Sequence, residues 1–294
     1  MKILLTGKDG QVGFALHKKL STLGEVVATD RRILDLSNID AIHQYVDKVR
    51  PQIIINAAAY TAVDKAESEP DLAYQINALA PKVLAEKATQ LNIPFIHFST
   101  DYVFDGLKKE AYLENDLVHP LSVYGKTKAQ GEDMVRQHPK HIILRTSWVF
   151  GFHGQNFLKT VLRLIGERNT LSMVRDQIGN PSSASLLADV TFNIVDQLFK
   201  DTSFKDYGTY HVTNDGETNW YDYTLFILKE AQALGFHTNI ESHDIKAITT
   251  SEYPTLASRP LNSRLNTDKL KKTFMLELPH WQDEVKKVLR ALSH

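Results

Sequence analysis

The chain opens with Ile3-Leu4-Leu5-Thr6 and continues as Gly7-Lys8-Asp9-Gly10-Gln11-Val12-Gly13, and this junction constrains the fold more than anything after it. The apolar run reads as a short buried strand. Three glycines at the spacing G-x-x-G-x-x-G permit a tight turn and a close approach of backbones. Phe14, Leu16, Leu20 and Leu23 then recur with helical periodicity, which predicts a helix over 14–23. Strand, glycine turn and helix in that order bring free N–H groups and the positive end of a helix dipole to one point, a seat for a pyrophosphate. A plain strand-to-helix turn is the competing reading. The next strand, Val26-Val27-Ala28-Thr29-Asp30, weighs against it. It ends on an acid roughly 20 residues past the turn, where an adenosine ribose is held in dinucleotide-binding folds. Asp30 alone argues for NAD. Arg31 and Arg32 beside it can pair with a 2′-phosphate, which keeps NADP open, or can be solvated loop charge. Asp35-Leu36 ends the following segment, at a position that can flank an adenine.

Strands and helices keep alternating. Ile53-Ile54-Ile55-Asn56 runs into small residues, Ala57-Ala58-Ala59-Tyr60, which would let a cofactor lie on the backbone or simply pack closely. Residues 73–91 read as helix, 95–99 as a fourth strand and 142–146 as a fifth. The pattern predicts an α/β fold with a doubly wound parallel sheet (Rossmann) over residues 1–150. A length of 294 residues has room for about two domains. Residues 151–294 are expected to form mainly a smaller C-terminal α/β substrate domain, with some segments returning to the first. There, helices are expected over 157–166, 186–199, 220–234 and 281–292, a short strand over 210–212 and a loop over 176–181.

In an open parallel sheet the ligand crevice lies outside the carboxyl ends of the strands. Thr100 falls just past the fourth strand and can reach a substrate oxygen there; the bland alternative is a turn or cap residue. Tyr124 and Lys128 stand four apart at the start of a helix, so both face one point. A neighbouring ammonium favours the phenolate, which makes the pair an acid/base unit for a hydroxyl or ketone. Tyr-x-x-x-Lys also occurs by chance on exposed helices. The segment 257–264 carries Arg259 and Arg264, suited equally to a diphosphate or to surface salt bridges.

Composition excludes several other classes. A net charge of −1 gives no field to gather nucleic acid or an anionic membrane. With no cysteine there are no disulfides, thiolate metal sites or cysteine nucleophiles, which fits a reducing cytoplasm. No apolar run approaches the ~20 residues of a membrane helix, and the N-terminal run is too short for a signal peptide. The histidines show no metal spacing; His138, His141 and His280 beside prolines read as loop or cap residues. There is no G-x-S-x-G elbow. Trp220, Tyr221 and Tyr223 read as core.

With Gly7/Gly10/Gly13, Asp30, Thr100 and Tyr124/Lys128 in that order, the chain resembles an extended short-chain dehydrogenase/reductase. Within that superfamily it is similar to the dTDP-4-dehydrorhamnose reductase family, nearly end to end. The glycine turn and Tyr124-Gly125-Lys126-Thr127-Lys128 are superfamily-wide. Asn56 to Glu67, Arg145-Thr146-Ser147-Trp148 and Arg259 to Leu265 are more specific. The resemblance implies NADPH- or NADH-dependent reduction of the C4 ketone of dTDP-4-dehydro-β-L-rhamnose to dTDP-β-L-rhamnose. Tyr124 would donate the proton, Lys128 would hold the nicotinamide ribose and lower the pKa of the tyrosine, and Thr100 would bond the substrate oxygen. It places Asp101, Trp148 and Arg259 on the substrate, and Gln11, Val12, Asp35, Leu36, Ala59, Tyr60 and Thr61 along the cofactor with the glycines and Asp30. Some members are dimers with magnesium held by glutamates, one in the first helix; here that helix reads Gly13-Phe14-Ala15-Leu16, so no metal is expected, and the chain is expected as a monomer or homodimer. Two alternatives remain at this point: an epimerase or dehydratase of nucleotide sugars, and a non-catalytic subunit like the regulatory one of methionine adenosyltransferase.

Overall fold

The computed structural model describes residues 1–201 and 203–293. The chain begins β1 (Lys2–Thr6), α1 (Gln11–Leu20), β2 (Glu25–Thr29), α2 (Ile39–Val49), β3 (Ile53–Asn56) and the one-turn helix α3 (Val63–Ala66). Next, α4 (Pro70–Tyr74) passes through a π-turn, Gln75–Leu79, into α5 (Ala80–Leu91), followed by β4 (Phe95–Thr100), α6 (Val123–Val135) and β5 (His141–Thr146). The second half holds β6 (Val149–Phe150), α7 (Phe157–Glu167), β7 (Leu171–Val174), β8 (Ile178–Gly179), β9 (Ser182–Ser183), α8 (Ala184–Lys200) and β10 (Gly208–His211). It closes with β11 (Thr218–Asn219), α9 (Trp220–Ala233), β12 (Ile245–Ile248), β13 (Asn262–Ser263), α10 (Asp268–Phe274) and α11 (Trp281–Leu292).

Six parallel strands form the large sheet in the order β10-β5-β4-β3-β1-β2. Successive side chains on a strand face opposite ways. Ile3 and Leu5 therefore join one core with Leu16 and Leu20 of α1, Leu187 and Ile194 of α8, and Phe274 of α10. Leu4 joins the opposite core with Ile42 and Val46 of α2 and Leu84 of α5. Helices thus cover both faces, as a wholly parallel sheet requires. The strand order reverses between β1 and β3, and their carboxyl ends open the crevice.

A third hydrophobic core joins α7, α9 and α11, through Leu158, Val161, Tyr223, Ile227, Trp281 and Val285. Around it lie a parallel pair, β7 and β12, and the three short strands β11, β8 and β13. Among the described residues no helix is long and apolar enough to cross a membrane.

Local structure departs from expectation in three instructive places. The first helix begins at Gln11, not Phe14, and ends at Leu20. Of the three glycines in this turn, Gly7 alone takes the left-handed conformation, at φ 79°. Gly10 is the extended N-cap, and Gly13 lies inside the helix, where a β-carbon would stand 1.9 Å from the carbonyl oxygen of Gly7. The expected single helix over 73–91 is broken by the π-turn. Pro81 has no N–H for the carbonyl of Asn77, four residues back, and the widened turn accommodates the loss. Residues 178–179, expected as loop, form β8.

Candidate active site

The first turn of α1 has no side-chain cap on Gly10, so its N–H groups face outward from the end of β1. Gly7 packs directly on β3's extension, where a β-carbon would meet Ala58 at 2.8 Å. This is the bare backbone cradle that a pyrophosphate needs, and it fits the expected dinucleotide. From it a cleft of about 790 Å³ runs across the sheet ends. Gly7, Gly10, Gln11 and Val12 line one end with Asp30, Asp35 and Leu36. Ala59 and Thr61 line the middle. Thr100, Asp101, Tyr124 and Trp148 line the far end.

Five of the candidate residues are not brought into that lining. Gly13 is consumed in the helix-to-turn contact. The Tyr60 hydroxyl donates to Glu69 at 2.6 Å. Arg259 pairs with Asp64 at 3.1 Å, and Arg264 with Glu217 at 3.1 Å, so both arginines take the salt-bridge option. Lys128, 1 % exposed, lies under the cleft and donates to the carbonyl of Phe98 at 2.6 Å.

Tyr124 is placed by the way α6 starts. The Ser122 hydroxyl accepts from the Gly125 N–H at 3.2 Å, an N-cap that fixes the first turn. Gly125 lets the helix seat on the 101–103 turn, since a β-carbon there would stand 2.2 Å from the Tyr102 carbonyl oxygen. Tyr102 meets the Tyr124 ring edge-on at 5.5 Å. Thr100 is the last residue of β4 rather than the first beyond it. Its hydroxyl donates to Asp101 at 3.1 Å and accepts from the Tyr102 N–H.

The electrostatics correct one expectation. Burial pushes the Tyr124 phenol up to about 12, while the Thr100 hydroxyl opposes the shift and Asp101 adds to it. Burial outweighs the expected easing by Lys128, and it also brings Lys128 itself down to about 8, against the pull of Glu132. Asp101, 3 % exposed, is raised by burial to about 6, partly offset by Ser263 and Thr100, and its Oδ2 has no partner among the described residues. At the other end Lys8 holds Asp30 at 2.8 Å, and with Arg32 and the Ile33 N–H it depresses that carboxylate far below the usual range. Asp30 is thus already engaged by Lys8, Arg32 and the Ile33 N–H.

Trp148 carries strain. It has φ 48°, a left-handed conformation costly for a bulky side chain. It is held there by stacking on Trp220 at 3.6 Å and by Gly179, where a β-carbon would lie 2.7 Å from the indole. Trp220 thus packs as expected, but its packing partner is a wall of the cleft.

Sequence reasoning missed the support beneath these groups. Asn77, in the π-turn, accepts from the Tyr60 N–H and donates to the Thr127 hydroxyl of α6. Glu132, wholly buried, accepts from Ser99 at 2.5 Å and from Arg145 at 2.8 and 2.6 Å. His97 of β4 touches both Lys128 and Asn56. A proline soon after an asparagine in a helical stretch was a readable signal for Asn77. No spacing rule points to the other two.

Comparison with known proteins agrees with this geometry. The family described as RmlD substrate binding domain matches residues 1–294. A dTDP-4-dehydrorhamnose reductase of Salmonella typhimurium is 45% identical over 297 residues, covering 99% of this chain and 98% of that one. The crystal structure of a dTDP-4-dehydrorhamnose reductase from Clostridium acetobutylicum superposes with a TM-score of 0.92 at 38% identity over 100% of both chains. One from Bacillus anthracis, solved in complex with NADP, gives 0.88 at 34% identity over 99% of both.

Proposed function

We infer the function from descent and geometry together: the chain belongs to the dTDP-4-dehydrorhamnose reductase family, matched over its whole length. It is an NADPH-dependent oxidoreductase that reduces the C4 ketone of dTDP-4-dehydro-β-L-rhamnose to dTDP-β-L-rhamnose. The observation that carries the residue assignment is the meeting of Thr100, Asp101 and Tyr124 in the cleft that also holds the glycine cradle.

The glycine turn and the first turn of α1 bind the pyrophosphate through main-chain N–H groups. Lys8, Arg31 and Arg32 supply positive charge around Asp30 for a 2′-phosphate. The bound cofactor supplies the hydride that reaches the ketone carbon. Tyr124 gives its proton to the ketone oxygen, so the carbonyl gains one hydride and one proton and becomes the alcohol. A phenol held near 12 is fully protonated at neutral pH, the state a proton donor needs. Thr100 bonds the same oxygen and holds it within reach of Tyr124. Asp101 and Trp148 hold the sugar, with Trp148 kept rigid by Trp220. Lys128 steadies the charge left on Tyr124 from below. We place the reaction in the cytoplasm, where NADPH is kept reduced.

The test is direct. The purified chain mixed with dTDP-4-dehydro-L-rhamnose and NADPH should oxidise the cofactor and yield dTDP-rhamnose by mass spectrometry. Cofactor oxidation absent with this substrate, but present with another nucleotide ketosugar, overturns the assignment.

A further inference from the structure

Beneath the cleft a file of buried polar side chains crosses three strands. Thr6 ends β1, Asn56 ends β3 and His97 lies within β4, each at most 1 % exposed. The Thr6 hydroxyl donates to Asn56 Oδ1 at 2.6 Å, and the Ala58 N–H donates to the same oxygen at 3.2 Å. Asn56 Nδ2 lies 3.1 Å from His97 Nδ1, and Lys128 Nζ lies 3.2 Å from His97 Nε2.

The directions of these bonds follow from their one fixed donor. A main-chain N–H can only donate, so the Asn56 atom facing Ala58 must be the amide oxygen. That turns the amide NH₂ toward His97, whose Nδ1 must then accept. Burial, reinforced by Lys128, holds His97 well below the ordinary histidine range, so the ring is neutral. A neutral imidazole that accepts at Nδ1 carries its proton on Nε2. That proton points at Lys128. An ammonium has no lone pair to receive it, whereas an amine has one.

We propose that His97, locked by Asn56 in the Nε2–H tautomer, is a positioning residue that keeps Lys128 poised between amine and ammonium. The proposal rests on the reductase reading, because the charge on Lys128 matters only if it serves Tyr124. The other ionisable groups around Lys128 are Tyr124 one turn before it on α6, Glu132 one turn after, Arg145 of β5 bound to Glu132, and Asp101 beyond Tyr124. Of these Glu132 favours the ammonium and is itself engaged by Arg145 and Arg136. As an amine, Lys128 leaves the phenol protonated, as reduction requires. As an ammonium, it stabilises the phenolate that proton transfer leaves behind.

The full-length protein labelled with ¹⁵N-histidine reads the tautomer without any turnover. The His97 signals, identified by their loss in His97→Gln, should show a protonated Nε2 and a bare Nδ1. A proton on Nδ1 overturns the proposal. Asn56→Asp places a pure acceptor opposite Nδ1, draws the proton there and frees Nε2 to accept from an ammonium. The alkaline limb of the kcat profile should then move up by about one pH unit, and a limb that stays in place counts against the role of His97. If Asn56→Asp does not fold, the wild-type spectrum still decides. If the protein turns over no dTDP-ketosugar, the reductase reading falls while the spectrum still reports the tautomer.

Discussion

Gly131 on α6 lies against the main-chain carbonyl of Asn77 so closely that a β-carbon would stand 2.1 Å from the oxygen. Pro81 leaves that carbonyl without its helical partner, and the glycine lets α6 close over it. The helix bearing Tyr124 is thereby seated on the π-turn.

Gly131→Ala should force the two segments apart. Overpacking of this kind costs about 2 kcal/mol. Urea unfolding should show a lower midpoint with an unchanged slope, and kcat should fall because Tyr124 shifts from Thr100.

Tyr124→Phe removes the proton donor and leaves the ring packed against Tyr102. The kcat should fall by roughly 10²–10⁴. Titration of NADPH by fluorescence should give an unchanged Kd, because the phenol is not part of the pyrophosphate cradle.

Glu132→Gln breaks a wholly buried pair and strands Arg145, which is 1 % exposed. The loss should be about 3–5 kcal/mol in equilibrium unfolding. Glu132→Gln combined with Arg145→Met should recover part of it, because no uncompensated charge remains.

Asp101→Asn tests a linkage of definite sign. The folded-state pKa of Asp101 is raised by burial from 3.8 to about 6. The folded protein therefore holds that proton more tightly than the unfolded chain, and stability falls as pH rises from about 4 through about 6. The variant should gain stability over the wild type across that window, on the order of 3 kcal/mol by neutral pH. It should gain nothing below it. Melting temperatures measured from pH 4 to 8 check this, and a raised KM would accompany it.

Arg31→Ala separates the two cofactors. Arg31 lines the cleft beside Asp30, its side chain 76% exposed and near Asp35 at 3.5 Å. The Kd for NADPH should rise about tenfold, equivalent to about 1.4 kcal/mol, while that for NADH stays nearly constant.

The sheet was legible because its causes are local. Apolar runs such as Ile53-Ile54-Ile55, glycine turns and amphipathic helices are written in contiguous residues. The cleft was legible in part for the same reason, since Gly7, Thr100 and Tyr124 each stand at a strand or helix end. What escaped depends on pairs far apart in the chain. Glu132 meets Ser99 and Arg145, and His97 meets Asn56 and Lys128, through distances no periodicity encodes. Arg259, expected on the substrate, pairs with Asp64, 195 positions earlier in the chain. The phenol of Tyr124 was expected to be eased by Lys128. Burial overrides that, and burial is a property of the folded whole.

β10 completes the large sheet although it lies beyond α7 and β7 to β9 in the chain. A fragment ending at residue 150 would thus lack both its outer strand and α8, the helix that covers Leu16 and Leu20. Its β5 would become an unpaired edge carrying Ile142, Ile143 and Leu144, an invitation to aggregate. The nucleotide-binding half is not a separable module. Its sixth strand comes from residues 208–211, past β6 to β9, α7 and α8 in the sequence.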